Sequence, residues 1–253
     1  MAQSTIFHPY HFSTTEKTQL DRDGHFFLTG LLTPQACDDL TSALSHIQTL
    51  AESGDYPQHH PNRYAAECNE YLASLIAHPQ MLTLARQILG DDIRLDHCAT
   101  LNRDGGNRGI GWHSHAYAEK RPELGFVRIF FYVNGFEADD GGLKVVPGSH
   151  HYRDPTIYGG LDEDLEAGWL VGKTHLQTDA PLAIEAPAVP PGTVALMWTH
   201  AAHAVTPRQP GSDMRWTVVY AYRNPGEPSG ARWINEAFEQ KPPDGTAGLI
   251  SLY

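Results

Sequence analysis

The chain has 253 residues, of which 41% are hydrophobic and 19% charged, as expected for one large globular domain. Its formal net charge of -12 provides no excess of basic residues, so the composition argues against binding to nucleic acid. Three cysteines without a Cys-x-x-Cys pair (Cys37, Cys68 and Cys98) favour a reducing compartment over a disulfide framework. Since neither a signal-peptide pattern nor a membrane-spanning apolar run is present, we expect a cytoplasmic protein that does not enter membranes.

The first part of the chain, residues 1–90, is predicted to be largely helical. A short helix is expected over residues 14–22 and a brief strand over residues 25–28. The strongest helix begins at Thr33-Pro34, because threonine is a good N-cap and proline fits the first helical position. Its apolar side repeats at helical spacing: Leu40, Leu44, Ile47 and Ala51. Another helix is expected from Pro79 to Gly90.

From residue 91 to residue 224 the hydrophobic period changes to that of strands. Strands are predicted over residues 93–102, 125–136, 143–146, 182–186, 193–198, 202–205 and 214–223. In the strongest of them Val127, Ile129, Phe131 and Val133 share one face, and Phe130 and Tyr132 share the other. An irregular acidic insertion covers residues 150–180, and a tail covers residues 225–253. We therefore predict a single domain over residues 1–253, mainly β, with N-terminal helices flanking a jelly-roll barrel.

A pair of histidines, His113 and His115, lies two residues apart. If they lie on a strand, both side chains point to the same face and can bind one metal ion. They could also be solvated surface histidines, or core histidines bonded to the backbone. Further along, His200 and His203 offer a third ligand, and Arg215 lies in an apolar, strand-like run. Together these residues suggest a metal centre beside a site that binds a carboxylate.

Several motifs resemble the phytanoyl-CoA dioxygenase (PhyH-like) family over nearly the whole chain. They are Trp112-His113, the run Asp140-Gly141-Gly142-Leu143 to Pro147-Gly148-Ser149-His150, the pair His203 and Arg215, and the opening over residues 23–34. Members of that family are non-haem Fe(II), 2-oxoglutarate-dependent oxygenases with a double-stranded β-helix (jelly-roll, cupin-like) core. The resemblance implies Fe(II), 2-oxoglutarate and O2 as cofactor and cosubstrates, and a small-molecule substrate that is oxidised, typically by hydroxylation. It implies His113 and His203 as metal ligands and Arg215 as the partner of the 2-oxoglutarate tail.

The chain departs from the family at His115, where the family has a carboxylate. Three neutral imidazoles would leave the full charge of a divalent ion on the site. His115 could still be a ligand, or could mark a lost site or one that prefers another metal. The alternative function is therefore a barrel that binds a metal or a metabolite without 2-oxoglutarate-dependent turnover.

The remaining candidates are less specific. His200 competes with His203 as the distal ligand, although the spacing to Arg215 favours His203. Arg215 could instead be a buried arginine paired with an acid. Thr206 is a candidate partner of the same cosubstrate carboxylate, and Thr100 and Asn102 could line the cosubstrate pocket or fill the barrel. The resemblance makes His150 and His151 structural, and we expect the loops over residues 55–69 and 150–180 to shape the substrate site. No pattern in the sequence indicates an oligomeric state.

Overall fold

The computed structural model describes residues 4–56, 58–115, 125–227, 230 and 232–251. The helices are α1 (Thr14–Asp23), α2 (Pro34–Ser53), α3 (Ala65–Cys68), α4 (Glu70–Leu75), α5 (Pro79–Leu89), α6 (Asp162–Ala167), α7 (Glu236–Gln240) and α8 (Ala247–Ile250). The strands are β1 (His25–Leu28), β2 (Arg94–Thr100), β3 (Ile110–His113), β4 (Phe126–Tyr132), β5 (Leu143–Val145), β6 (Thr193–Trp198), β7 (His203–Val205) and β8 (Thr217–Arg223). The prediction of a mainly β fold flanked by N-terminal helices is confirmed.

The strands form two antiparallel sheets that face each other. One has five strands in the order β1-β6-β4-β8-β2, and the other has three in the order β3-β7-β5. Within the described chain β2 is an edge strand that pairs only with β8. This arrangement is a jelly-roll barrel with an interior between the two sheets.

The long helices begin where the sequence predicts. The hydroxyl of Ser13 accepts a hydrogen bond from the Glu16 amide at the start of α1, and Thr33 caps α2 through the Ala36 amide. Helices α3 and α4 were not predicted, because four and six residues are too few to show a helical period. The predicted strand over residues 182–186 is reduced to an isolated bridge between Val145 and Glu185.

Strand β4 divides the core as its alternation predicts. Val127, Ile129 and Phe131 pack with the helices in one hydrophobic cluster. Phe130 and Tyr132 pack in a second cluster that includes residues of the three-stranded sheet. The second cluster therefore lies inside the barrel. A third cluster, which includes Trp112, Ile157, Leu165 and Ala204, joins the three-stranded sheet to the insertion.

The inner face of the five-stranded sheet is polar at both ends and apolar in the middle. At one end the strand register aligns His97, Ala221, Arg128, Met197 and His25 in one row. The next row is apolar and consists of Ala99, Val219, Phe130, Ala195 and Phe27. At the other end Arg103 and Arg215 pair across an isolated antiparallel bridge. The charged residues of the interior thus flank an apolar belt.

Among the described helices, none is both long and apolar enough to cross a membrane.

Candidate metal centre

His113 and His203 face each other across the pair of strands β3 and β7. They are register partners, and the centroids of their rings are 4.1 Å apart. His113 ends β3 and His203 begins β7, so both rings come from the same end of the three-stranded sheet. His203 is buried, with 5% of its surface exposed. The close approach of two imidazoles makes this pair the base of the site.

His115 completes the group although it lies beyond the end of β3. Its amide donates a hydrogen bond of 3.3 Å to the Thr199 carbonyl, which turns the chain back toward β7. Its ring centroid is 4.9 Å from that of His113 and 5.1 Å from that of His203. One ligand atom from each of these three histidines lies within 4.8 Å of the others. In the described part of the chain this is the single group of three or more candidate ligands at such spacing.

Hydrogen bonds to the backbone fix the tautomers of two of the rings. Nδ1 of His113 lies 2.9 Å from the Gly111 carbonyl, and Nδ1 of His203 lies 2.8 Å from the Ala201 carbonyl. Because a carbonyl only accepts, each Nδ1 carries the proton and each Nε2 carries a lone pair. A metal-bound histidine commonly holds its second nitrogen in this way. Both rings are therefore prepared to bind a metal through Nε2.

The pKa values of all three histidines are lowered. Burial is the largest cause for each. At His115 the charge of Arg128 and the neighbouring histidines lower the pKa further. At His203 the effect of His113 lowers it further, and the hydrogen bond to the Ala201 carbonyl offsets this in part. For His113 the Gly111 carbonyl opposes the effect, and Arg128 and Arg103 add to it. Neutral imidazole is the form that binds a metal. The group contains three neutral donors and no carboxylate, as the sequence predicts.

Arg128 is a site residue that sequence analysis did not single out. It lies in β4 with 6% of its surface exposed, and its Nε donates a hydrogen bond of 3.3 Å to the Thr199 hydroxyl. Its charge lowers the pKa of His113, His115 and His203. The sequence did carry a signal, since an arginine inside the most apolar strand is rarely buried unless it has a partner.

His200 lies apart from the group. Nη1 of Arg153 donates a hydrogen bond of 2.9 Å to its Nε2, and burial together with the Arg153 charge lowers its pKa to about 4. The structure therefore brings His203, and not His200, to the His113-His115 pair.

Arg215 lies at the opposite end of the barrel interior and already has partners. Its guanidinium donates to the carbonyls of Asn134, Gly135 and Asp140, and lies 3.7 Å from the Asp140 carboxylate. Arg208 shares that carboxylate at 2.7 Å. These contacts match the structural interpretation of a buried arginine paired with an acid.

The threonine and asparagine candidates contact other parts of the protein. The Thr206 hydroxyl donates to the Ala138 carbonyl at 2.9 Å. Thr100 donates to the side chain of Asn62 at 2.9 Å, and Asn102 donates to the Leu44 carbonyl at 3.3 Å. Alternation along β2 turns the side chains of Thr100 and Asn102 toward the helices, away from the histidine group.

The pair His150 and His151 holds the N-terminal segment. Nε2 of His150 donates to the Asp21 carbonyl at 2.9 Å, and Nε2 of His151 donates to the Arg22 carbonyl at 3.2 Å. These contacts agree with a structural role for both.

A family model described as phytanoyl-CoA dioxygenase (PhyH) matches residues 20–215, which include the three histidines and end at Arg215. An ectoine dioxygenase of Nocardia farcinica (strain IFM 10152) is 27% identical over 153 residues, or 54% of this chain and 51% of that protein. The chain thus spans about half the length of the curated relatives it matches.

Solved structures share the fold. EctD from S. alaskensis with 2-oxoglutarate and 5-hydroxyectoine aligns with a TM-score of 0.63 at 22% identity, over 84% of this chain and 76% of that one. HygX from Streptomyces hygroscopicus with nickel and 2-oxoglutarate aligns with a TM-score of 0.62 at 17% identity, over 86% of this chain and 89% of that one. At these identities the likeness shows the fold alone.

Proposed function

We propose that this chain, which belongs to the phytanoyl-CoA dioxygenase (PhyH) family, is a non-haem Fe(II), 2-oxoglutarate-dependent dioxygenase. Residues 1–253 form one oxygenase domain that oxidises a small molecule, typically by hydroxylation. The observation that carries the proposal is the group of His113, His115 and His203, with ligand atoms within 4.8 Å of one another. Iron at this position, with O2 and 2-oxoglutarate, would supply the oxidising chemistry.

The donor set suits a divalent transition metal. Imidazole nitrogen is a good ligand for iron, and three facial donors leave positions for a bidentate cosubstrate and O2. The chain itself supplies only neutral donors, so the metal keeps its full charge and attracts anions more strongly than a site with a carboxylate would. 2-Oxoglutarate is a dianion, and this electrostatic balance supports it as the cosubstrate.

Arg215 is the proposed partner of the distal carboxylate of 2-oxoglutarate. Guanidinium geometry matches a carboxylate, and Arg103, which pairs with Arg215 across the bridge, acts electrostatically on His113. The Arg215 end of the interior is thus within electrostatic reach of the histidine group. Binding would replace some of the carbonyl contacts of Arg215, with the hydroxyl of Thr206 as a further partner. Thr100 and Asn102, also candidates for this pocket, donate instead to the side chain of Asn62 and to the Leu44 carbonyl.

The alternative function is a three-histidine barrel that binds a metal or a metabolite without turnover. His115 in place of a carboxylate favours this alternative.

A small-molecule substrate is supported by the relatives named as dioxygenases of ectoine. The free thiols of Cys37, Cys68 and Cys98 support a cytoplasmic location, because the cytoplasm is a reducing compartment.

Anaerobic spectroscopy separates the two functions. Adding Fe(II) and then 2-oxoglutarate to the purified chain should produce the weak visible charge-transfer band of a chelated complex. The band should be absent from His113→Ala and present in His200→Ala, which alters a nearby histidine outside the group. A wild-type protein that binds Fe(II) but gives no band with 2-oxoglutarate would support the alternative.

A further inference from the structure

His97 is a buried histidine that the proposed chemistry leaves unassigned. It is 0% exposed, and its Nδ1 lies 2.8 Å from the Asp96 carboxylate. Burial is the largest cause that lowers its pKa, so the neutral ring carries its proton on Nδ1. Nε2, on the far side of the ring, is therefore an acceptor. Among the described residues this buried atom has no hydrogen-bond partner, which is costly unless a ligand supplies a donor.

The fold holds His97 in one orientation. A register shift in β2 falls between Leu95 and His97, and Asp96 occupies it. Asp96 is also 0% exposed and lies 3.6 Å from Nη1 of Arg223. A buried carboxylate between a guanidinium and an imidazole is a rigid support. Bulges of this kind commonly re-aim a side chain beside a functional site.

His97 and Arg128 flank Ala221 on the inner face of the sheet. Both are register partners of Ala221, so the three lie in one row across β2, β8 and β4. The alanine has only a methyl group, whereas its two neighbours have long polar side chains. Both neighbours act electrostatically on His115, which places them beside the histidine group. The methyl group of Ala221 thus lies between a hydrogen-bond acceptor and a cation, both of them close to the candidate metal ligands.

A cavity of about 490 Å³ lies beside the His97 end of this row. The described residues that line it are His60, Asn62, Arg63, residues 99–101 and Trp233, and none of these is acidic. Trp233 joins the cavity to His97, since their ring centroids are 4.8 Å apart. The guanidinium of Arg63 lies over the same indole at 5.4 Å. The cavity borders the loop over residues 55–69 that was expected to shape the substrate site.

We propose that the substrate lies between this cavity and the histidine group, and that it is a small molecule with an anionic group and a hydrogen-bond donor. The anionic group pairs with Arg128, and a hydroxyl or amine donates to Nε2 of His97. Asp96 is the positioning residue that holds the imidazole. This inference rests on the proposed function only in treating the bound molecule as the substrate, because binding itself needs neither metal nor cosubstrate.

Three matched probes test the pocket on the metal-free chain: 4-hydroxybutyrate, butyrate and 4-hydroxybutanamide. They carry both groups, the anion alone and the donor alone. Binding is followed by tryptophan fluorescence, with Trp233→Phe to identify the part of the signal that comes from Trp233. We expect saturable binding of 4-hydroxybutyrate, on the order of tenfold tighter than either of the others, as one charge-assisted or buried hydrogen bond provides.

Variants identify the two contacts. Arg128→Gln should weaken the binding of 4-hydroxybutyrate on the order of tenfold or more, and Arg128→Lys should recover part of the lost affinity. His97→Asn keeps a donor for Asp96 and removes the acceptor at Nε2, whereas His97→Gln places an amide oxygen near that position and should bind more tightly than His97→Asn. Arg86→Gln, the same chemical change on the exposed side of α5, should leave this binding unchanged.

Other outcomes would overturn the inference. If all three probes bind equally, or if Arg86→Gln weakens 4-hydroxybutyrate as much as Arg128→Gln does, the pocket is not where we place it. If Arg128→Gln instead weakens 2-oxoglutarate on the metal-loaded chain and spares 4-hydroxybutyrate, Arg128 belongs to the cosubstrate. Loss of the Fe(II)-2-oxoglutarate band with these probe results intact would refute the proposed function and leave the pocket standing.

Discussion

The hydroxyl of Ser149 accepts a hydrogen bond of 2.8 Å from the amide of Ala202, the residue directly before His203. The Ala202 carbonyl in turn accepts from the Val146 amide at 3.0 Å. The Pro-Gly-Ser-His motif over residues 147–150 is therefore a backbone clamp on the strand that carries the distal histidine. Ser149 and Ala202 are 53 residues apart in the sequence, so the link exists only in the folded chain.

Ser149→Ala should weaken metal binding without removing a ligand. The variant leaves the buried Ala202 amide without its acceptor, which costs about 1–3 kcal/mol and loosens the start of β7. Isothermal titration with Ni(II) should show a lower affinity at unchanged stoichiometry. Ser42→Ala, on the exposed side of α2, is the matched control. Equal affinities for the two variants would reduce the clamp to a packing contact.

His113→Ala and His203→Ala should each lose most of the metal affinity, since each removes one of three direct bonds. Metal content measured after gel filtration should fall from one divalent ion per chain toward zero. His200→Ala should keep the ion, because that ring bonds Arg153 instead. Full stoichiometry in both ligand variants would disprove the assigned centre.

Arg215→Leu should weaken 2-oxoglutarate while the metal remains. The loss of a charge-assisted contact, part of it the cosubstrate carboxylate left unpaired, should cost on the order of 2–5 kcal/mol. The visible band of the Fe(II) complex, titrated with 2-oxoglutarate, measures this directly. An unchanged affinity would assign Arg215 to the structural network of Asp140 and Arg208 alone.

His115→Asp restores the carboxylate that the family has at this position. If His115 binds the metal, the variant should retain it, and the lower charge at the site should weaken the attraction for 2-oxoglutarate. His115→Ala should lose affinity. Titration calorimetry with Ni(II) measures the metal affinity, and the visible band of the Fe(II) complex measures the affinity for 2-oxoglutarate. A metal affinity that is the same in the wild type, the Asp variant and the Ala variant would show that His115 does not bind the ion.

The sequence predicted those parts of the molecule that depend on local patterns. Thr33 and Gly90 mark the ends of helices, and the alternation of β4 assigned its residues to the correct cores. Motif spacing selected the three histidines that the structure brings together. These signals lie within a few residues of one another or follow a known family pattern, so no tertiary information is needed to see them.

The rest depends on register between distant strands. Nothing in the sequence near Arg128 or His97 says that both are neighbours of Ala221. The position of His115 depends on a bond to Thr199, which is 84 residues away by number, after the β3 strand has ended. The carbonyl partners of Arg215 likewise come from a turn that the sequence cannot place beside it. Site residues that act through packing were therefore the ones missed.

His150 should make the fold sensitive to acid. Burial, with the charge of His151 adding to it, lowers its pKa from 6.5 to about 3. The unfolded chain takes up this proton below about pH 6.5 and the folded chain does not, so the free energy of unfolding falls as the pH drops from 6.5 toward 3.

His150→Gln keeps a donor for the Asp21 carbonyl but cannot titrate. Its loss of stability between pH 7.5 and pH 4.5, measured by urea unfolding, should be smaller than that of the wild type. Parallel curves for the two proteins would mean that His150 takes up its proton at the same pH in the folded and the unfolded chain.

The covering of the edge strand β2 has a consequence for self-association. Arg232 donates to the Leu95 carbonyl at 3.1 Å, and the Thr100 amide donates to the Asn62 carbonyl at 2.8 Å. The C-terminal tail and the 60–63 loop thus occupy hydrogen-bonding groups that would otherwise be open to a strand from another molecule. Proteolysis that removes the tail would expose a ready template for edge-to-edge pairing, and the clipped protein should form aggregates rich in intermolecular β-structure.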